Sequence, residues 1–284
     1  MNEATIFKSE TGRTAILTAY NDMLNAWPVP LRRHTLQTRQ GETFALDCGP
    51  QDAPALVLLH GSMANSAMWI GDARAYSQHF RMIALDFPGE PGMSQPLRMS
   101  LENNEPVDWL ADVLDALGLE KVILGGISLG GGLALSFATA CPRRVEKLVL
   151  LCPDGLVQAN TAFLLKTMPL ILLGRRGTGM VMKYLNGGKA LDDHTLAFSH
   201  LINANFSPRR SGFPVLGDDR LRGLTMPVLL VVGEADPLID PSSSVERLRH
   251  LLPDLQVVMA PGEGHILANK AGTILPFLLE TGRA

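Results

Sequence analysis

Short apolar runs recur along the chain: ALVLLHG (55–61), RMIALDF (81–87), KVILGGI (121–127), KLVLLCP (147–153), PVLLVVG (227–233) and LQVVMAP (255–261). Each is strand-length, rich in branched residues, and most are bounded by glycine or proline, which marks a strand rather than a helix. Because the runs are continuous and do not alternate with polar residues, both faces of each strand must be buried. The segments between them, near 66–79, 106–117, 129–140, 242–252 and 266–280, carry helical spacing. Strands alternating with helices predict an α/β fold, a mostly parallel central sheet with helices on both faces. Upstream, Ile16, Tyr20, Leu24 and Trp27 share one helical face, so 8–27 is expected to be an amphipathic helix stopped by Pro28 and Pro30. His34 to Gly49 is expected to form two strands about a turn near Gly41.

One interval breaks this rhythm. Residues 154–223 separate two strands without a strand pattern of their own, and are rich in Leu, Met, Gly and paired arginines. A structureless loop of that length does not fit a compact domain. The expected organisation is therefore a core in two parts, 1–153 (with the N-terminal helix) and 224–284, and a helical cap inserted at 154–223. TAFLLKTMPLILL (161–173) and MVMKYL (180–185) hold more apolar side chains than a surface helix needs. Some of these side chains are accordingly expected to face a bound substrate, with Met168, Met180 and Met182 able to adapt to different acyl groups and Phe163 and Leu172 setting pocket size.

Composition narrows the class. A chain of 284 residues with 46% hydrophobic and 19% charged positions can bury one large core and is not disordered. A net charge of −3 argues against a nucleic-acid surface, which takes a concentrated basic patch. The start MNEATIFKSETGR has no apolar signal-peptide core, and stretches such as PLILLG fall short of the roughly 20 residues that span a bilayer. Cys48, Cys141 and Cys152 are odd in number and lack zinc-site spacing. The expectation is a cytoplasmic protein with free thiols, no membrane or nucleic-acid partner, and neither metal nor cofactor. Glycine motifs for nucleotides are absent, since Gly188-Lys189 is followed by Ala190 and not by a hydroxyl residue.

Candidate chemistry centres on Gly126-Ile127-Ser128-Leu129-Gly130, a G-x-S-x-G pattern between a predicted strand and a predicted helix. That setting presents a serine hydroxyl at the carboxyl edge of a sheet. A hydroxyl becomes a useful nucleophile only when a base takes its proton. In this arrangement acid and histidine follow the serine in the chain, which leaves His250 and His265. His250 sits in a charged helix pattern, whereas His265 follows the last strand, so His265 is the expected base. Asp236, after PVLLVVG, is the first choice of acid; Asp154, after KLVLLCP, is the runner-up, with Glu234 and Asp240 behind. The oxyanion of an acyl-transfer intermediate needs N–H donors, assigned to Leu129 and Ser62, with Met63 as fallback. His60 is expected to shape the loop at 60–62. The turn DFPGEPGMS (86–94) has no derivable role.

Taken together, YNDMLNAWPV (20–29), GPQDAPALVLLHGSMANSAMW (49–69), the D-x-x-G turn at 86–89, GISLGG (126–131), GEADPLIDP (233–241) and GHIL (264–267) resemble the α/β-hydrolase superfamily across almost the whole chain. More closely, they are similar to the carboxylesterase NP type of bacterial serine esterase. The resemblance implies a cofactor-free carboxylic ester hydrolase with a triad of Ser128, Asp236 and His265. The substrate would be a small ester with an apolar or aromatic acyl group. Thioesters, lactones, amides, carbon–carbon bonds and peroxyacid formation use the same residues, and a hydrolase fold kept as a small-molecule receptor is the alternative outside enzymes.

Overall fold

The computed structural model describes residues 6–209 and 211–280. The first five residues, part of the polar start read above, and Arg210 in the insertion lie outside them. Strands β1 (Leu31–Thr38), β2 (Gly41–Cys48), β3 (Ala55–Leu59), β4 (Arg81–Leu85), β5 (Val122–Ile127), β6 (Val145–Leu151), β7 (Val228–Gly233) and β8 (Gln256–Ala260) follow the predicted runs. They form one sheet in the order β1-β2-β4-β3-β5-β6-β7-β8. β2 runs antiparallel to β1 and β4, and the remaining pairs are parallel. β1 begins at Leu31, ahead of the expected His34. Arg32 and Arg33 hid this extension, because an edge strand can pair through its backbone while polar side chains face water.

The helices are α1 (Glu10–Asn25), α2 (Ile70–Tyr76), α3 (Glu105–Ala116), α4 (Leu129–Ala140), α5 (Thr161–Ile171), α6 (Gly174–Leu185), α7 (Asp193–Asn205), α8 (Asp218–Leu221), α9 (Pro241–Leu251) and α10 (Ala271–Leu279). Helix α1 starts where Ser9 accepts the Gly12 N–H at 3.0 Å, and it buries Ile16, Tyr20 and Leu24, the face the spacing predicts. Side chains alternate across each strand, so the sheet feeds two cores. Leu56, Leu58, Ile123, Leu229 and Val231 pack with Tyr20, Ala73, Ile274 and Phe277 of α1, α2 and α10. Val57, Leu59, Leu124, Leu230 and Val232 pack on the other face with Leu110, Leu133, Phe137 and Leu248 of α3, α4 and α9. At about 1.5–3 kcal/mol for each fully buried aliphatic side chain, these two layers dominate the stability.

Between β6 and β7 the chain is helical. Leu156 and then Phe213, Leu216, Leu221, Leu224 and Met226 belong to the main core, while the described residues from 157 to 212 place no buried side chain in either sheet core. Ile202 and Phe206 pack instead with Ile6, Phe7 and Ile16 at the N-terminal end. Phe163 is buried and stacks on Tyr184 with ring centroids 5.7 Å apart. Leu172, Met168 and Met180, among the insertion residues named above, are exposed. Leu172 is 88% exposed, Met168 65% and Met180 53%, so these side chains pack on little of the protein. The α5–α6 hairpin closes on itself, which leaves its tip and outer face to solvent.

Candidate active site

Strand order decides what can meet at the carboxyl edge. β5 lies between β3 and β6, with β7 and β8 beyond. The loop after β3 therefore flanks the end of β5 on one side, and the loops after β6, β7 and β8 reach it from the other. Ser128 sits between β5 and α4 with φ 53° and ψ −116°, angles that a side chain-bearing residue rarely adopts. The two glycines of the motif have separate steric reasons. A Cβ on Gly126 would lie 2.2 Å from the Gly130 carbonyl oxygen, and one on Gly130 would lie 2.4 Å from that of Leu59. Backbone therefore fills both places. The turn is held by Ser128 N–H donating to Leu151 O at 2.9 Å, and Ser128 O accepting from Gly132 N and Asp154 N. The positive end of α4 lies directly behind the serine.

The structure brings Ser128, His265 and Asp236 into one line. Ser128 Oγ is 2.9 Å from His265 Nε2, and His265 Nδ1 is 2.7 Å from Asp236 Oδ2. The other carboxylate oxygen of Asp236 accepts the N–H groups of Leu238 and Ile239, at 2.8 and 3.0 Å. Burial alone would raise the Asp236 carboxyl, but the hydrogen bond and charge of His265 and these two N–H donors outweigh it and hold it below the usual carboxylate range. An ionised Asp236 can only accept, so Nδ1 carries a proton, and in the neutral imidazole Nε2 is the nitrogen left to accept the Ser128 hydroxyl. The backbone N–H of His265 donates to Leu185 O at the end of α6, 2.7 Å away.

Asp154, the runner-up acid, makes no hydrogen bond to His265 among the described residues; burial pushes its carboxyl up. Glu234 accepts from Gly262 N and Asp240 caps α9, so both serve their own loops. His250 lies on α9, away from this edge. Cys152, which the sequence marked only as a thiol, lies against Asp236; its sulfur and the Asp236 and His265 ligand atoms fall within 4.8 Å of one another. Such a set has the chemistry to ligate a cation, but the carboxylate and imidazole atoms already bond each other. Burial and the Asp236 charge hold the Cys152 thiol up, in its protonated form. A residue's position after a strand could not have shown this contact.

On the opposite side, Gly61 comes so close that a Cβ on it would be 3.5 Å from Ser128 Cβ. Among the described residues, the N–H groups of Ser62 and Leu129 have no hydrogen-bond partner, whereas Met63 N–H donates to Glu90 Oε2 at 2.9 Å. His60 Nδ1 donates to Gly61 O, and its Nε2 accepts the Phe87 N–H at 2.9 Å. His60 thus shapes this loop from within the core. Among the described residues, no helix is long and apolar enough to cross a membrane.

Comparison with known proteins agrees with this geometry. A model of the alpha/beta hydrolase family matches residues 56–271. Carboxylesterase YbfK of Bacillus subtilis is 33% identical over 261 residues, 88% of this chain and 87% of the relative. The uncharacterized carboxylesterase nap of the same organism is 31% identical over 268 residues, covering 89% and 87%. The crystal structure of naproxen esterase (carboxylesterase NP) from Bacillus subtilis superposes with a TM-score of 0.86 at 28% identity, over 95% of this chain and 99% of that one. The resemblance drawn from the sequence motifs and the matched span agree, and the chain belongs to the alpha/beta hydrolase family.

Proposed function

We propose that this chain hydrolyses carboxylic esters through an acyl-enzyme on Ser128. The observation that carries the reading is the continuous relay from Ser128 Oγ to His265 Nε2 and from His265 Nδ1 to Asp236, at 2.9 and 2.7 Å. Ser128 Oγ attacks the ester carbonyl carbon as its proton passes to His265 Nε2, and the carbonyl electron pair moves onto oxygen. The N–H groups of Ser62 and Leu129 receive that oxyanion. Collapse breaks the bond to the alcohol oxygen, which leaves with the proton from His265. Water then repeats the sequence: it loses a proton to His265, attacks the acyl carbon, and releases the acid and the free serine. Asp236 stabilises the imidazolium in both halves.

The insertion at 154–223 serves as a cap. Leu185 O holds the His265 backbone, and Phe213 sits against the first turn of α4, where a Cβ on Gly132 would be 2.8 Å from its ring. These contacts support a cap that packs on the histidine loop and on α4, and the apolar composition of the insertion suits a small ester with an apolar or aromatic acyl group. The two relatives described above, which match nearly nine-tenths of the chain, are carboxylesterases by name. The test is turnover of an ester panel together with labelling by a fluorophosphonate. The wild type is expected to hydrolyse activated esters and to be labelled at Ser128. Ser128→Ala is expected to lose both while melting as a folded protein, with turnover down by about 10⁴-fold or more. Undiminished turnover in folded Ser128→Ala would overturn the proposal.

A further inference from the structure

The turn at 86–94 had no role in the sequence reading, and its packing supplies one. It lies against the loop that follows β3 and holds it at successive points. Phe87 N–H donates to His60 Nε2, Asn65 Nδ2 donates to Pro91 O, and Asp86 accepts the Ser66 N–H, each at 2.9 Å. Between these anchors lies Met63, whose φ of 59° places it in the left-handed region. A residue without a glycine's freedom holds that conformation only where its surroundings enforce it. Here the enforcing group is Glu90: its buried carboxylate accepts the Met63 N–H at 2.9 Å through one oxygen and the Arg209 Nε–H at 2.9 Å through the other. Arg209 is in turn fixed by donating to Met99 O and Pro88 O, and its guanidinium lies over the Phe87 ring, 5.2 Å from the centroid.

Two consequences follow. Bonded to Glu90, Met63 N–H is withdrawn from the reaction, which leaves Ser62 N–H as the neighbouring free donor on the loop that touches Ser128. The group that sets this turn is locked by an arginine of the insertion, so the insertion and the loop beside Ser128 are tied through one buried ion pair. We infer that Glu90 is a positioning residue for the reaction at Ser128: held by Arg209, it fixes the Met63 turn so that Ser62 N–H is presented to the oxyanion. This rests on the ester-hydrolase reading above.

The test uses the full chain, a short activated ester, and a trifluoromethyl ketone that forms a tetrahedral adduct on an active serine. Glu90→Ala is expected to lower kcat by about 10²-fold, the scale of a lost oxyanion donor. Its KM should stay within about twofold of wild type, as for an interaction made only in the transition state. Affinity for the ketone should fall in parallel. Glu90→Gln keeps an acceptor for Met63 N–H and should lose roughly tenfold, a partial rescue. Amide hydrogen exchange at Met63 should accelerate in both variants. Wild-type kcat and ketone affinity in folded Glu90→Ala, with only the melting temperature lowered, would overturn the inference, since a merely structural role predicts that result. If Glu90→Ala fails to fold, Arg209→Gln decides: kcat reduced roughly threefold to tenfold with faster Met63 exchange supports the strut, and wild-type values of both overturn it. Ser128→Ala in the same assay separates the two levels. Turnover there defeats the ester-hydrolase reading itself, whereas an inactive Ser128→Ala beside a fully active Glu90→Ala defeats the role of Glu90 alone.

Discussion

Asp236 and Asp154 are both buried carboxyl groups at the carboxyl edge of the sheet, and their environments drive them apart. Asp236 has His265 on one oxygen and two backbone N–H donors on the other; Asp154 has burial as its main influence. Asp236→Asn is expected to disturb the imidazole tautomer and cut kcat by up to ~10⁴-fold, while Asp154→Asn stays within about threefold of wild type. The reverse ranking in steady-state kinetics would move the acid to Asp154. Linkage gives a second readout. Because Asp236 is held below its unfolded value, its stabilising contribution is complete above the ordinary carboxylate pKa of about 3.9 and is lost as pH falls through the lower folded value. The melting-temperature gap between wild type and Asp236→Asn should therefore hold its full width above about pH 4 and close as pH falls through the lower folded value.

At the scale of elements, the elbow depends on backbone contact among β3, β5 and α4. At Gly130 the atoms in the way of a Cβ are the carbonyl oxygens of Leu59 and His60, which no rotamer change can move. Gly130→Ala must separate α4 from β3, and is expected to cost about 3 kcal/mol or more in denaturant unfolding, with loss of turnover. Gly179, inside α6, offers the control, since its nearest neighbour to an added Cβ is His200 at 4.0 Å. Gly179→Ala should stabilise the protein by about 0.5–1 kcal/mol through helix propensity, with kcat unchanged. Equal effects at the two positions would show that the close approach at the elbow does not limit stability.

At the scale of the molecule, the insertion and the core meet at the histidine loop. His265 N–H donates to Leu185 O, and a Cβ on Gly264 would lie 2.1 Å from that same carbonyl oxygen. Gly264→Ala should push the end of α6 away from the loop, shift His265, and lower kcat by about 10²-fold. Because the described residues of 157–212 add no fully buried side chain to either sheet core, the melting temperature should fall less than in Gly130→Ala. Leu172→Ala, at the exposed hairpin tip, should leave the ester-size profile unchanged, as measured across acyl chains of increasing length. A profile that shifts with Leu172 would mean that this tip closes over substrate during turnover.

The layered sheet, the helix faces and the serine turn were legible in the sequence, because each depends on residues close together in the chain. Alternation along a strand sorts Leu56 from Val57, and helical spacing aligns Ile16, Tyr20 and Leu24, wherever the rest of the chain lies. Gly126-x-Ser128-x-Gly130 likewise describes one local turn. Contacts between distant segments were decided by the tertiary structure. Asp236 and Asp154 both follow strands, and only the loop path that sets His265 Nδ1 2.7 Å from Asp236 separates them. The polar edge of β1 was missed because pairing through the backbone leaves no apolar signature. Leu172 and Met168 are apolar yet exposed, since a hairpin that packs on itself does not bury every apolar residue it carries. Glu90 meets Met63 at a separation of 27 residues and Arg209 at 119. Burial follows from composition and period along one chain, whereas a hydrogen bond at 2.9 Å depends on where two remote backbones come to rest.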